Sequence, residues 1–325
     1  MRWLVSRELI TILLGAGLLA LAPLGMQNIY LLSFLFSVFT YAALAVGWNI
    51  IGGYTGYLSF GHAAFFGIGG YTTALLFANV GWSPFLTAPL GGFLGALVAL
   101  VVGYPCLRLR GPYFALVTLI LVLAVRVIVL NVPWTGGSAG LFLKIPEIDA
   151  LTNRILFYEA MLAVLVISVL AAYWALRSKL GIGLVTIRED EEVAQTLGIN
   201  VTQLKMIAFL ISAFLAGMAG GIFSYYRTYV YPNIMFDVNL SVLVVLMALF
   251  GGRQTWTGPL VGAFVISVVS EFLTLQIGNE AARMLFGLLM VVVILYLPDG
   301  LLAYIRSHRA APGSTSRELE THPMI

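Results

Sequence analysis

Hydrophobic runs about as long as a bilayer helix follow one another along most of the chain, separated by short polar breaks. A span needs roughly 20 predominantly apolar residues. Runs that meet this measure fall near Leu9–Leu24, Ile29–Ile51, His62–Val80, Phe85–Tyr104, Tyr113–Leu130, Ile155–Leu176, Met206–Tyr226, Ile234–Phe250, Gly258–Ile277 and Met284–Tyr304. The pattern predicts an all-α polytopic integral membrane protein of about ten transmembrane helices, the eighth of them short and carrying Asp237 and Asn239. A signal peptide is the alternative for the first run, since Arg2 and Arg7 precede it and Ala20-Leu21-Ala22 has the small-x-small form of a cleavage site. Pro23 is a poor residue beyond such a cut, so a retained span is expected.

The longest polar break runs from Arg177 to Lys205, RSKLGIGLVTIREDEEVAQTLGINVTQLK. Thr186 and Glu189 have capping-box spacing, and Glu189, Asp190, Glu191 and Glu192 supply the negative charge that a helix N-terminus favours. Val193 and Leu197 then lie one turn apart beside Ala194, and Gly198 with Asn200 supplies a stop. These features predict a helix over Glu189–Leu197. Alone it is marginal in water, so its small apolar face is expected to dock on a partner subunit.

Composition places the chain in the membrane class: of 325 residues, 61% are hydrophobic and 10% charged, with a mean hydropathy of +1.00. A net charge of +3 is not the footprint of a nucleic-acid binder. Arg2, Arg7, Arg108, Arg110, Arg177, Lys179, Arg188, Lys205, Arg253 and the tail arginines fall on one side of the predicted spans, against Lys144, Arg154, Arg227 and Arg283 on the other. The positive-inside rule therefore puts both termini and the 177–205 loop in the cytoplasm. Residues 1–305 read as one transmembrane domain and 306–325, rich in polar residues, Pro, Gly and Ser, as a flexible cytoplasmic tail. Cys106 is the only cysteine, and His62, His308 and His322 form no metal pattern. Gly15-Ala16-Gly17 and Gly67-Ile68-Gly69 lie in apolar runs without the Lys-Ser/Thr of a phosphate loop, so no ATPase and no bound cofactor is expected of this chain.

Small residues four apart, Gly91/Gly95, Gly217/Gly221 and Gly258/Gly262, predict close helix packing. Two glycine-rich polar stretches, Gly52–His62 with Tyr57 and Ser59, and Gly251–Pro259 with Trp256, read either as cytoplasmic turns or as re-entrant segments lining a pathway. Gapless alignment of Gly52-Gly53 on Gly251-Gly252 and Ala64-Phe65 on Ala263-Phe264 hints at an internal repeat. Arg126 lies deep in the fifth run, where it costs at least ~2.5 kcal/mol unless it pairs, faces a cavity or snorkels outward. Glu271 is its chemically plausible partner, or else a proton site. His62, at the edge of a span, reads as a hydrogen-bonded packing residue or a pathway group. In the outer loop, Trp134, Thr135, Gly136 and Gly137 form either a connector or a turn that donates backbone hydrogen bonds to a partner or solute.

Five stretches in order, GGYTGYLSFGHAAFFGIGGYTTALL, RGPYFALVTLILVLAVRVIVLN followed by TGGSAGL, GIGLVTIREDEEVAQTLGINVTQLKMIAFLISAFLAGMAGGIFS, FGGRQTWTGPLVGAF and LPDGLL, resemble the inner-membrane permease subunits of branched-chain amino-acid ABC importers, in particular the longer of two permease types. The resemblance covers Tyr41 to Leu302. Glu192, Ala194 and Gly198 fit the Glu-Ala-Ala-x-x-x-Gly pattern of importer coupling loops, with Val193 in place of the middle alanine. Arg126, Thr135–Gly137 and Gly140 coincide with polar positions of the family's fifth-span and outer-loop motif. The resemblance implies a heterodimer with a second related permease, two cytoplasmic ATPase subunits that use the ATP, and a periplasmic binding protein that delivers solute to the bacterial inner membrane. Glu189, Asp190, Glu192, Val193, Ala194, Leu197, Gly198 and Asn200 are the expected ATPase-coupling residues. Tyr57, Ser59, His62, Arg126, Trp256 and Glu271 are the candidates for the pathway or its gate. Same-family importers of urea or short amides, an ion-coupled transporter using Glu271 and a membrane-embedded enzyme are the alternatives.

Overall fold

The computed structural model describes residues 2–25, 28–144 and 149–278, together with Gly287, Gly300 and Leu301. Twelve helices run in the order α1 (Arg2–Gly25), α2 (Ile29–Thr55), α3 (His62–Val80), α4 (Pro84–Cys106), α5 (Pro112–Asn131), α6 (Ala150–Arg177), α7 (Lys179–Glu189), α8 (Glu191–Thr196), α9 (Val201–Arg227), α10 (Pro232–Met235), α11 (Val238–Gly251) and α12 (Gly258–Ile277) among the described residues. Nine segments there are long and apolar enough to cross a membrane, with α10 and α11 together making one of them. They correspond to the first nine predicted runs. The tenth, Met284–Tyr304, apart from Gly287, Gly300 and Leu301, and the tail 306–325 lie outside the described residues.

Helix ends follow local chemistry. The side chains of Asn28 and Asp149 accept the first free amides of α2 and α6, and Gly56, at φ 76°, closes α2 in a left-handed conformation. Only residues 56–61 and 252–257 of the two glycine-rich stretches leave the helices, so each is a short turn between helix ends. The last turns of α2 touch the second of them. Asn49 Nδ2 donates to the Thr255 carbonyl at 3.1 Å, and a Cβ on Gly53 would lie 2.4 Å from the Arg253 carbonyl oxygen.

Helix α9 is the hub, packed against α2, α3 and α4. Lipid gives helices no hydrophobic drive to associate, so close van der Waals approach must supply it. Three glycines meet where α3, α4 and α9 cross. A Cβ on Gly69 would sit 1.9 Å from the Gly217 oxygen, one on Gly217 2.8 Å from the Gly91 oxygen, and one on Gly91 2.7 Å from the Gly69 oxygen. One helical turn further, Gly220 approaches the Phe66 carbonyl and Gly221 approaches Ala88, while Gly262 of α12 abuts Met247 of α11. The predicted small-residue pairs thus serve packing. By contrast, α5 is covered on few positions, and α1 is peripheral, held by an Arg177–Glu8 ion pair at 2.6 Å and by the Tyr158 hydroxyl on the Leu19 carbonyl at 2.8 Å.

At the end opposite α8, two 3-10 turns, Pro133–Thr135 and Gly137–Ala139, lead into a strand β1 (Leu141–Phe142). It pairs antiparallel with β2 (Tyr229–Val230), just beyond α9, in the register Leu141 to Val230 and Phe142 to Tyr229. This ribbon is an addition to the all-helical expectation.

Candidate functional site

The end of the bundle carrying α8 gathers most of the polar chemistry. Asp190 is extended and caps α8, its carboxylate accepting the Glu192 amide at 2.8 Å and the Val193 amide at 3.0 Å. The expected capping box is therefore displaced. Thr186 lies inside α7, donating to the Ile182 carbonyl, and Glu189 ends that helix, paired with Arg188 at 2.7 Å. The reason is that α7 has its own buried face, Leu184 and Ile187, with Gly181 pressed against the carbonyl of Leu176, so the chain is already helical before the acidic run. Gly198, at φ 80°, ends the short helix, and the Asn200 side chain accepts the Gln203 amide to start α9.

The faces of α8 are opposed. Ala194, expected on the docking face, is instead fully buried in a small cluster with Ile187 and Val201, because it is the side chain that faces α7 and α9. Val193 is 50% exposed and Leu197 69%. These two apolar residues, one turn apart, form the outward surface.

Beneath them lies a buried charge. Lys205, on α9, is 1% exposed, and its Nζ donates to Glu191 Oε1 at 3.0 Å, to the Tyr57 hydroxyl at 3.0 Å and to the Leu107 carbonyl at 3.4 Å. The Tyr57 hydroxyl donates in turn to the other Glu191 oxygen, and its ring lies under the ammonium with 4.2 Å from Nζ to the centroid. Arg110 closes the outer side, with Nη1 3.1 Å from Glu192 and Nε 3.8 Å from Glu191. Burial pushes the Glu191 carboxyl up, but the Tyr57 and Lys205 hydrogen bonds and the nearby positive charges outweigh it and hold the group below the ordinary carboxylate value. All three proton donors of the buried ammonium are thus engaged, and α8, α9 and the turns after α2 and α4 are joined at one point.

From the sequence, Lys205 and Arg110 enter only as charges in the inside count, Glu191 only as part of the acidic run at the helix start, and Tyr57 as a pathway candidate. A signal was present. Lys205 falls on the stripe Val201, Lys205, Ala208, Ser212, the buried face of α9, where a lysine needs a partner.

The remaining candidates do not converge. His62 is buried with Nε2 on the Ser212 hydroxyl, Ser59 is buried with its carbonyl accepting the Trp48 indole at 2.8 Å, and Trp256 meets Tyr173 edge-on. Glu271 accepts the Tyr30 hydroxyl, and Arg126, half-buried on α5, does not reach it, since α12 packs against α2 and α11. Thr135 is buried with its hydroxyl on the Val129 and Val132 carbonyls, Gly136 and Gly137 take positive φ, and Trp134 projects outward.

The family described as branched-chain amino acid transport system, permease component, matches residues 30–294. The chain belongs to this family. A high-affinity branched-chain amino acid transport system permease protein, LivM of Salmonella typhimurium, is 33% identical over 294 residues, which is 82% of this chain and 68% of that protein. LivM of Escherichia coli K12 is 31% identical over the same shares. LivH of Salmonella typhimurium, a permease protein of the same system, is 25% identical over 292 residues, 81% of this chain and 91% of its own length. No solved structure matches. The chain is therefore a multi-pass membrane permease component of the branched-chain amino acid transport class, a transport subunit.

Proposed function

We propose that this permease pairs with a second, related permease to form the path for branched-chain or other hydrophobic amino acids, with two cytoplasmic ATPase subunits hydrolysing the ATP and a periplasmic binding protein delivering the solute. The chain itself binds no ATP or other cofactor. It sits in the bacterial inner membrane with both termini and α8 in the cytoplasm, in line with the bias of Lys and Arg toward that side. Similarity to both LivM and LivH supports a paired arrangement, because this one chain is related to two permease proteins named for the same system.

The single observation that carries the proposal is the surface of α8. Val193 and Leu197 project outward from a helix whose inner side is tied into the bundle by Ala194 and Glu191. An apolar pair on a six-residue helix fits a shallow groove on one ATPase subunit. Closure of the ATPase pair on ATP would then displace α8 and with it α9, exchanging inward-open and outward-open arrangements. An ion-coupled route through Glu271 is not favoured, because the matched family and relatives are permease components of branched-chain amino acid transport systems.

The experiment replaces Val193 or Leu197 with Asp in the assembled importer and measures co-purification of the ATPase together with solute uptake. Both side chains are exposed, so the permease fold should persist while assembly and uptake fall together. Unchanged assembly and uptake in both variants would overturn the coupling role of α8.

A further inference from the structure

We infer that Lys205 is a positioning residue that makes α8 move as one piece with α9 and with the turns after α2 and α4, an inference that rests on α8 being the ATPase-facing helix. Covalent continuity alone does not do this. Asp190, extended, separates α8 from α7, and Gly198, in a left-handed turn with nothing within 4 Å of a would-be Cβ, begins the link to α9. The backbone bonds at the two ends of α8, Ala194 amide to the Asp190 carbonyl and Ile199 amide to the Ala194 carbonyl, are local and reach neither α2 nor α4. The apolar hold on the bundle is small, because the only fully buried side chain of α8 is an alanine.

What fixes α8 in orientation is the ammonium. Lys205 bonds Glu191 in the first turn of α8, Tyr57 in the turn between α2 and α3, and the Leu107 carbonyl at the end of α4, while Tyr57 completes a closed ring with Glu191. A push on Val193 and Leu197 thus reaches α9, α2–α3 and α4–α5 through one buried atom. Stability does not require such an arrangement, since well-packed apolar residues commonly replace a buried ion pair at no loss. Geometry does. An ion pair fixes direction and distance together, which an apolar contact of one alanine cannot.

The test reconstitutes the whole importer in liposomes and reads ATP hydrolysis and uptake in the same preparation for Lys205→Met, Lys205→Arg, Tyr57→Phe and Val193→Asp. In Lys205→Met, assembly and hydrolysis persist and solute moved per ATP falls about tenfold, within the range of coupling between distant sites. Lys205→Arg restores most of the ratio, and Tyr57→Phe, which removes one hydroxyl and keeps the ring, lowers it by a smaller factor. An unchanged ratio in Lys205→Met overturns the inference, as does a parallel loss of hydrolysis and uptake that Arg does not recover. If Lys205→Met fails to reach the membrane, Tyr57→Phe decides by the same ratio. Val193→Asp keeps the two claims apart: retained assembly there refutes the docking face itself, whereas lost assembly there with an unchanged ratio in Lys205→Met refutes only the role of the lysine.

Discussion

Replacing Gly220 with alanine tests whether the crossing of α9 and α3 is as close as its geometry demands. The new Cβ would fall 1.9 Å from the Phe66 carbonyl oxygen and 2.7 Å from its carbon, both backbone atoms that no rotamer change can move. An ordinary carbon–oxygen contact is about 3.3 Å, so the two helices must separate by roughly 1.4 Å at that point. A gap of even 0.5–1 Å forfeits about a quarter to a half of each dispersion contact, and overpacking of this kind typically costs about 1–3 kcal/mol. Taking about 3 kcal/mol, and roughly 2 °C per kcal/mol for a chain of this size, the melting temperature of the detergent-solubilised permease should fall by about 6 °C. Gly15→Ala is the control, because nothing lies within 4 Å of its Cβ and alanine favours a helix. Equal melting temperatures for Gly220→Ala, Gly15→Ala and the parent protein would refute the argument that backbone contact at glycine holds this bundle.

Gly198, left-handed and surrounded by open space, should discriminate by backbone alone: Gly198→Val costs at least about 1–2 kcal/mol, Gly198→Asn measurably less, and melting temperatures of the two rank them. Glu191 makes stability depend on acid. Because its folded pKa lies below the ordinary carboxylate value, its contribution is complete above the unfolded pKa and is lost as pH falls through the folded one, and Glu191→Gln should flatten the melting profile in that acid window. Thr135→Val leaves the Val129 and Val132 carbonyls without the hydroxyl and should lower the melting temperature, with a cost of about 1 kcal/mol, while Trp134→Ala, on an exposed side chain, should not.

Bilayer thickness fixes how long an apolar run must be, which is why nine of the predicted runs reappear as helices with similar bounds. The start of α8 was harder to read because Thr186, Glu189 and Asp190 are all competent caps, and only the packing of Leu184 and Ile187 extends α7 far enough to leave Asp190 as the one used. Glycine spacing announced close approach, but not that Gly217 would meet Gly91 and Gly69 of two other helices at once. Arg126 and Glu271 are opposite in charge, yet charge carries no information about which helices are neighbours, and Tyr30 was nearer. Two residues per strand are too few for alternation to register, so the β1–β2 ribbon left no trace in the pattern.

The length of α9 gives its central glycines a mechanical meaning. Its 27 residues make a rod of about 40 Å, clamped near one end by Lys205 and joined beyond the other to the ribbon. Gly217, where α9 crosses α3 and α4, divides the rod into arms of about 24 Å and 15 Å at 1.5 Å per residue. A rocking of about 10° at that level, of α9 together with the turns that Lys205 ties to it, would carry the α8 end by about 4 Å one way and the ribbon end by about 3 Å the other, with α9 remaining an unbroken helix throughout. The glycines that bring three helices into backbone contact would then also set the gear ratio between the two faces of the membrane.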